Sequence, residues 1–362
     1  MRRYISFFVA ALLLMLTTLS NPTVAAGNAS LPFCVVQNIS GDGRTVIGAM
    51  QGTLFADKNT ITAPFYWRAG AIHFLPKEGA PQAKVIDSSE DGEVIVGYIQ
   101  NSDKDTFAVK WNHGVLEEYH KRSYAYSYAQ SISYDAQVAL IVAEKQKKTV
   151  LLNWGEERLN TDDLPNYRFI YVSDVSGDGA SFVGTYQKQG SFQSRPFIYS
   201  NNNFTEIKAG ISEQVVPKGV SYDGAVTAGK YFNTKTKESG AFLFENGVMK
   251  RWPASGRFGN VQISGDGNTL VINLFDVKGE KKIRDGVYIL RRSTGWVKEN
   301  MHAFLGSGAN DWDIGGIVGL SHDGMRIVGN GEREGKQTAF LLDIAQQKSQ
   351  NAMQEICVEK GM

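Results

Sequence analysis

A four-residue motif, S-x-D-G, recurs seven times along this chain and fixes its architecture more firmly than any other feature. The copies carry their aspartates at Asp42, Asp91, Asp135, Asp178, Asp223, Asp266 and Asp323, with Ala136 in place of the glycine in the third. Successive aspartates are 49, 44, 43, 45, 43 and 57 residues apart. A near-constant period in this range marks a repeat architecture. The aspartates are therefore expected to be turn residues of a scaffold, one per unit. Spread round a ring, they would not converge on one ion.

Each unit reads as four short strands. In the first, Val35–Ile39 precedes the turn and Thr45–Met50 follows it. Pro64–Trp67, a turn through Gly70, and Ala71–Leu75 complete the unit. Asp-Gly between apolar runs is a strong hairpin signal, because both residues tolerate positive φ. The Ser hydroxyl and Asp carboxylate are expected to bond local backbone groups and stiffen the turn. The third strand ends on a large residue in every unit: Trp67, Trp111, Leu152, Tyr199, Phe244, Ile289 and Leu342. The second carries a late glycine at Gly48, Gly97, Gly184, Gly229 and Gly329, which suits close backbone approach near a crowded centre. Ile141 and Ile272 replace it in the other two units. Seven such units predict an all-β fold, a seven-bladed β-propeller of four-stranded antiparallel blades.

The two ends carry separate signals. Arg2 and Arg3, an apolar run from Ile5 to Leu16 and a small-residue site at Val24-Ala25-Ala26 read as a signal peptide over 1–26. The apolar run is shorter than the roughly 20 residues needed to cross a bilayer. Phe33 immediately before Cys34 argues against lipidation there. Residues 27–362 are then expected to form one propeller domain, secreted or periplasmic, monomeric and not inserted in a membrane. Its two cysteines, Cys34 and Cys357, lie near opposite ends of that domain, where a disulfide would close the ring in an oxidising compartment. The tail 345–356 has helical composition, with 357–359 a possible strand.

The pattern S-x-D-G-x-x-[VIL]-[VI]-G, followed by [AP]-F-x-W and a glycine turn, resembles the HAF-type extracellular repeats of bacterial secreted proteins. Residues 39–48 with 64–70, 175–184 with 196–199, and 320–329 with 339–342 carry the resemblance. The turn is also similar to those of WD-repeat and TolB-like propellers. The family implies an extracellular propeller-like fold and supplies no catalytic residue. The sialidase box S-x-D-x-G-x-T-W is absent, since glycine follows aspartate directly.

Composition narrows the partner. With 38 basic and 37 acidic residues, the chain lacks the basic excess of a nucleic-acid binder. The histidines at 73, 113, 120, 302 and 322 show no metal-ligand spacing, and neither a nucleophile elbow nor a nucleotide fingerprint occurs. No metal or cofactor is expected.

Up-and-down topology puts the S-x-D-G and glycine turns on one face of the disc. The length-variable loops lie on the other, where binding residues concentrate. Three loop-face segments stand out: Tyr119, His120, Arg122, Tyr124 and Tyr126; Asp162, Asp163 and Tyr167; and His302, Asp311, Trp312 and Asp313 in the longest insertion. Tyr, Trp and Arg favour binding because they bury large areas with few rotors. Tyr126 and Tyr128 also fit a half-buried strand entering the third unit. These residues predict a binding or scaffold module for a protein or glycan. The alternatives are a secreted glycoside hydrolase or lyase with acids in the central funnel, and a structural envelope-assembly protein.

Overall fold

The computed structural model describes residues 33–54, 59–119, 124–155, 167–191, 193–210, 212–254, 257–278, 281–309, 311–346 and 352–357. Seven antiparallel sheets follow one another along the chain as blades 1 to 7, over 33–74, 82–119, 126–153, 167–206, 213–254, 257–300 and 312–355. Together they form a seven-bladed β-propeller. Strand order within each sheet is sequential, so every connection is a hairpin. Six blades have four strands; blade 3 has three among the described residues.

The core lies between blades rather than within them. Val36, Phe65 and Trp67 of blade 1 pack against Val328, Ala339 and Leu341 of blade 7. Ile47 of blade 1 meets Val85, Val109 and Trp111 of blade 2. The large residue near the end of the third strand supplies this filling, and Trp111 is wholly buried. The second-strand glycines have the role expected of them. A Cβ on Gly97 would collide with the Lys84 carbonyl of the innermost strand, and one on Gly184 with that of Tyr171. Just beyond those carbonyls the innermost strand bulges, between Val85 and Asp87 and between Val172 and Asp174. A bulge bends a strand and re-aims the side chains next to it.

Blade 7 takes all four of its strands from the C-terminal part of the chain, so no strand is exchanged at the closure. Side chains join the ends instead. The Asn330 amide brackets Val36, its Oδ1 accepting from the backbone N–H at 3.0 Å and its Nδ2 donating to the carbonyl at 3.1 Å. Arg326 donates to the Gly43 carbonyl at 3.0 Å. Cys34 and Cys357 form the expected disulfide, with Cα atoms 6.2 Å apart. The tail differs from its sequence reading among its described residues; 347–351 and 358–362 lie outside them. A short 3-10 turn spans Ile344–Gln346, and the strand falls at Met353–Glu355, where it completes blade 7. Edge pairing to Phe340–Leu342 places it there.

Candidate functional site

Every S-x-D-G turn is built alike. In the first, Ser40 Oγ donates to Asp42 Oδ1 at 2.6 Å and accepts from the Thr45 N–H at 2.9 Å. Asp42 Oδ1 also accepts from the Arg44 N–H at 2.9 Å. The same bonds recur at Ser176–Asp178 and Ser321–Asp323. Both side chains are engaged in folding the turn. No group of three or more metal-ligating side chains occurs among the described residues.

The second position of the motif does something the sequence does not announce. Its carbonyl accepts a backbone hydrogen bond from the preceding turn round the ring. Asp42 N–H donates to Glu90, Glu90 to Tyr134, Tyr134 to Gly177 and Asp178 to Tyr222. Tyr222 donates to Gly265, Asp266 to His322, and His322 back to Gly41 at 2.7 Å. Seven bonds thus close a circle round the axis. Inside it, Tyr134, Tyr222 and His322 are in mutual contact, with ring centroids 5.7, 5.5 and 5.3 Å apart. They come from blades 3, 5 and 7, which are not neighbours, so they meet across the axis. A Cβ on Gly41, Gly177 or Gly265, in blades 1, 4 and 6, would strike one or more of these rings. The alternation of bare and aromatic positions plugs the axis on the turn face.

Above the plug, the residues two before the motif serines of blades 1 to 4 form a polar arc. Asn38 Nδ2 donates to Asp87 Oδ1 at 2.8 Å. Ser131 Oγ lies 2.8 Å from Asp87 Oδ2 and 3.0 Å from Asp174 Oδ1. Asp87 Oδ2 also accepts from the Ile132 N–H, and Asp174 Oδ2 from that of Val220, each in the next blade. Blades 1 to 5 are thereby stitched at their inner edges. Burial, then the charge of Asp87, pushes the Asp174 carboxyl up to about 7. Burial also raises Asp87, against the opposing pull of its hydrogen bonds. A Ser hydroxyl has one hydrogen and can donate to only one carboxylate. The other contact is satisfied when that carboxyl is protonated and donates to Ser131. Burial and mutual repulsion thus draw both carboxyls toward the protonated form.

Further up, toward the loop face, four tyrosines gather on blades 2 to 4. Tyr98 meets Tyr128 edge-on at 6.5 Å, and Tyr126 stacks on Tyr128 at 6.2 Å. Tyr171 follows on the innermost strand of blade 4 and is 43% exposed. Burial, then the neighbouring Tyr126, Tyr171 and Tyr98, lifts the Tyr128 hydroxyl to about 12. Tyr126 and Tyr128 lie on the strand Tyr126–Ile132, as the alternation of tyrosines suggests.

The loop-face candidates separate by burial. Tyr119 and Tyr167 are buried, Tyr119 against Trp154 at 5.6 Å. Trp312 is buried too, edge-on to Phe340 at 5.5 Å. The insertion before it folds into a helix, Met301–Leu305, whose Met301, Phe304 and Leu305 join Trp312 in one apolar cluster. These three aromatic rings are packing residues. Tyr124 and Tyr126 are half-buried, and His302, Asp311 and Asp313 are exposed. His120, Arg122, Asp162 and Asp163 lie outside the described residues.

A cleft of about 580 Å³ opens on the turn face across blades 7, 1 and 2. Two of its three guanidinium groups already have hydrogen-bonding protein partners, and the third, Arg44, is exposed beside Asp42. Arg68 pairs with Glu93 and donates to Thr45 and the Asp91 carbonyl. Arg326 is bound to Gly43. The cleft is therefore a clasp at the ring closure.

Solved structures share the fold. The β-propeller domain of the trilobed protease from Pyrococcus furiosus is similar at a TM-score of 0.61 and 11% identity, over 92% of this chain and 98% of that one. An oligogalacturonate lyase from Vibrio parahaemolyticus is similar at 0.59 and 10% identity, over 86% and 91%. An acylaminoacyl peptidase from Pyrococcus horikoshii matches at 0.60 and 12% identity, over 90% of this chain but 52% of its own. No protein-family profile and no curated protein matches the chain. At such identities the likeness is one of fold.

Proposed function

We propose that this chain is an exported propeller that binds a protein or glycan on its loop face. One observation carries the reading: the turn face is occupied along the axis by the Tyr134–Tyr222–His322 plug, while the other face keeps a partly exposed group of four tyrosines. Rigid aromatic side chains on a scaffold that does not move suit recognition, because little entropy is lost on contact. Tyr124, Tyr126, His302, Asp311 and Asp313 belong to the proposed face, and Tyr98, Tyr128 and Tyr171 extend it inward. The basic and apolar start at 1–26 supports export, and the Cys34–Cys357 bridge fits an oxidising compartment. The HAF-type repeat resemblance points the same way. A pull-down from a native envelope extract tests the reading. Replacing Tyr126, Tyr128 and Tyr171 by alanine should abolish capture; undiminished capture by a folded variant would refute it.

A second reading, a glycoside hydrolase or lyase, is favoured by the Asp87–Asp174 pair and its raised carboxyl. Two carboxyls of unequal proton affinity suit acid–base work. Against it, each carboxylate oxygen is already bonded within the fold. Asp174→Asn distinguishes the two: it should abolish turnover in an enzyme and leave binding intact in a recognition module.

A further inference from the structure

Immediately beyond Tyr171 round the ring, blade 5 presents two lysines. Lys218 sits in the bulge of its innermost strand, between Pro217 and Gly219. Lys230 sits on the adjacent strand, paired with Val216. Both are half-buried. Neither ammonium makes an ion pair or side-chain hydrogen bond among the described residues. Burial, then the charge of Lys230, holds the Lys218 amine below its ordinary value. Two like charges set close together in a partly dry site cost stability unless an anion joins them. The corresponding bulge residue in blade 4 is Ser173 and the corresponding second-strand residue is Thr185, both neutral.

We infer that Lys218 and Lys230, with the tyrosine wall of blades 2 to 4, form a subsite for an acidic oligosaccharide, the two ammonium groups receiving a uronate carboxylate while sugar rings stack on Tyr171 and Tyr128. This rests on the loop-face reading and names its ligand class. A sugar ring offers a flat C–H face to an aromatic ring, and a uronate adds the charge that the lysines lack. An acidic peptide supplies the charge without the flat face. A neutral glycan supplies the face and leaves the amines unpaired. Charge-assisted hydrogen bonds to carboxylate are the stronger kind, and they weaken as salt rises.

The test is calorimetric titration of the protein with a mannuronate tetramer and with the same tetramer after reduction of its carboxyls. The uronate should bind, and carboxyl reduction or Lys218→Gln with Lys230→Gln should weaken it about tenfold or more. Tyr171→Ala should weaken both tetramers. A thermal melt supplies a folding control with its own sign: the lysine double variant should melt at or above the wild type, because a repulsive pair has been removed. Equal binding of the reduced tetramer, no binding of the uronate, or binding of polyglutamate or a short oligonucleotide as tight as the uronate would each overturn the inference. If the uronate fails while the tyrosine variant still loses its envelope partner, the loop-face reading stands alone. If the tyrosine variant loses nothing, both readings fall.

Discussion

Asp87 and Asp174 come from blades 2 and 4, yet both reach the single hydroxyl of Ser131, at 2.8 and 3.0 Å. Burial and the closeness of the two carboxyls raise both, which gives stability a pH dependence of definite sign. Asp174 titrates at about 7 in the folded protein, raised from 3.8. The folded state therefore binds more protons than the unfolded chain between about pH 4 and pH 7. Its contribution is full below the lower value and is lost as pH rises through the upper one. Carboxylates held low, such as Asp223 under the Ser221 hydroxyl, act in the opposite sense as pH falls through the acid range. Asp174→Asn isolates the raised group, since the amide mimics the protonated acid and can donate to Ser131. Melting temperature against pH should fall less steeply from 4 to 7 in the variant than in the wild type. Identical slopes would show that Asp174 is ionised throughout.

The axial plug depends on glycines facing rings. A Cβ on Gly177 would lie inside the van der Waals radius of the Tyr222 ring. Gly177→Ala should cost about 1–3 kcal/mol, the range for overpacking. In a Tyr222→Ala background the same substitution should cost much less, because the obstacle is gone. Chemical denaturation of the four proteins gives the coupling energy directly. Additive costs would mean that the rings do not constrain the glycines.

Blade 3 departs from the motif with Ala136, which adopts φ 59° where the other turns carry glycine. Left-handed backbone costs a residue with a Cβ about 1–2 kcal/mol, part of which the greater freedom of unfolded glycine offsets. Ala136→Gly should raise stability by about 0.5–1 kcal/mol in equilibrium unfolding. A loss would show that the methyl group contributes packing that outweighs the strain.

Much of this was legible in the seven turns. Their spacing counts the blades, and their Ser and Asp bond the turn as those residue types suggest. The plug was written in the same motifs, as Gly41, Glu90, Tyr134, Gly177, Tyr222, Gly265 and His322 at the second position. It was not legible because contact among three of them requires the ring to close, and no local pattern encodes that. Asp87 and Asp174 stand two residues before their motif serines, where the other repeats carry Asn38, Ser131, Gly219, Gln262 and Gly319. Superposing the repeats exposes them as two carboxylates at one polar position. Trp312 misleads for a different reason. Its insertion is long and polar in part, but Met301, Phe304 and Leu305 give it an apolar face that folds back on blades 6 and 7.

The ring closes without strand exchange, so the Cys34–Cys357 bond and the Asn330 bracket reinforce the apolar packing and the Arg326–Gly43 and His322–Gly41 bonds between first and last blades. Joining residues 323 apart restricts the unfolded chain strongly, by about 6 kcal/mol at the upper end of the chain-entropy model. Cys34→Ser with Cys357→Ser should lower the melting temperature and make it insensitive to reductant. Non-reducing mass spectrometry of protein from an oxidising compartment should find no free thiol; two free thiols would contradict the closure described.

Recognition on the loop face, with a turn face that only holds the ring together, is the proposal at stake. The most direct measurement compares two folded variants in capture from a native envelope extract: Tyr126, Tyr128 and Tyr171 replaced by alanine on the loop face, and Tyr222 and His322 replaced on the turn face. Loss of the partner in the first and its retention in the second is the predicted result. Retention in the first with loss in the second would contradict the account.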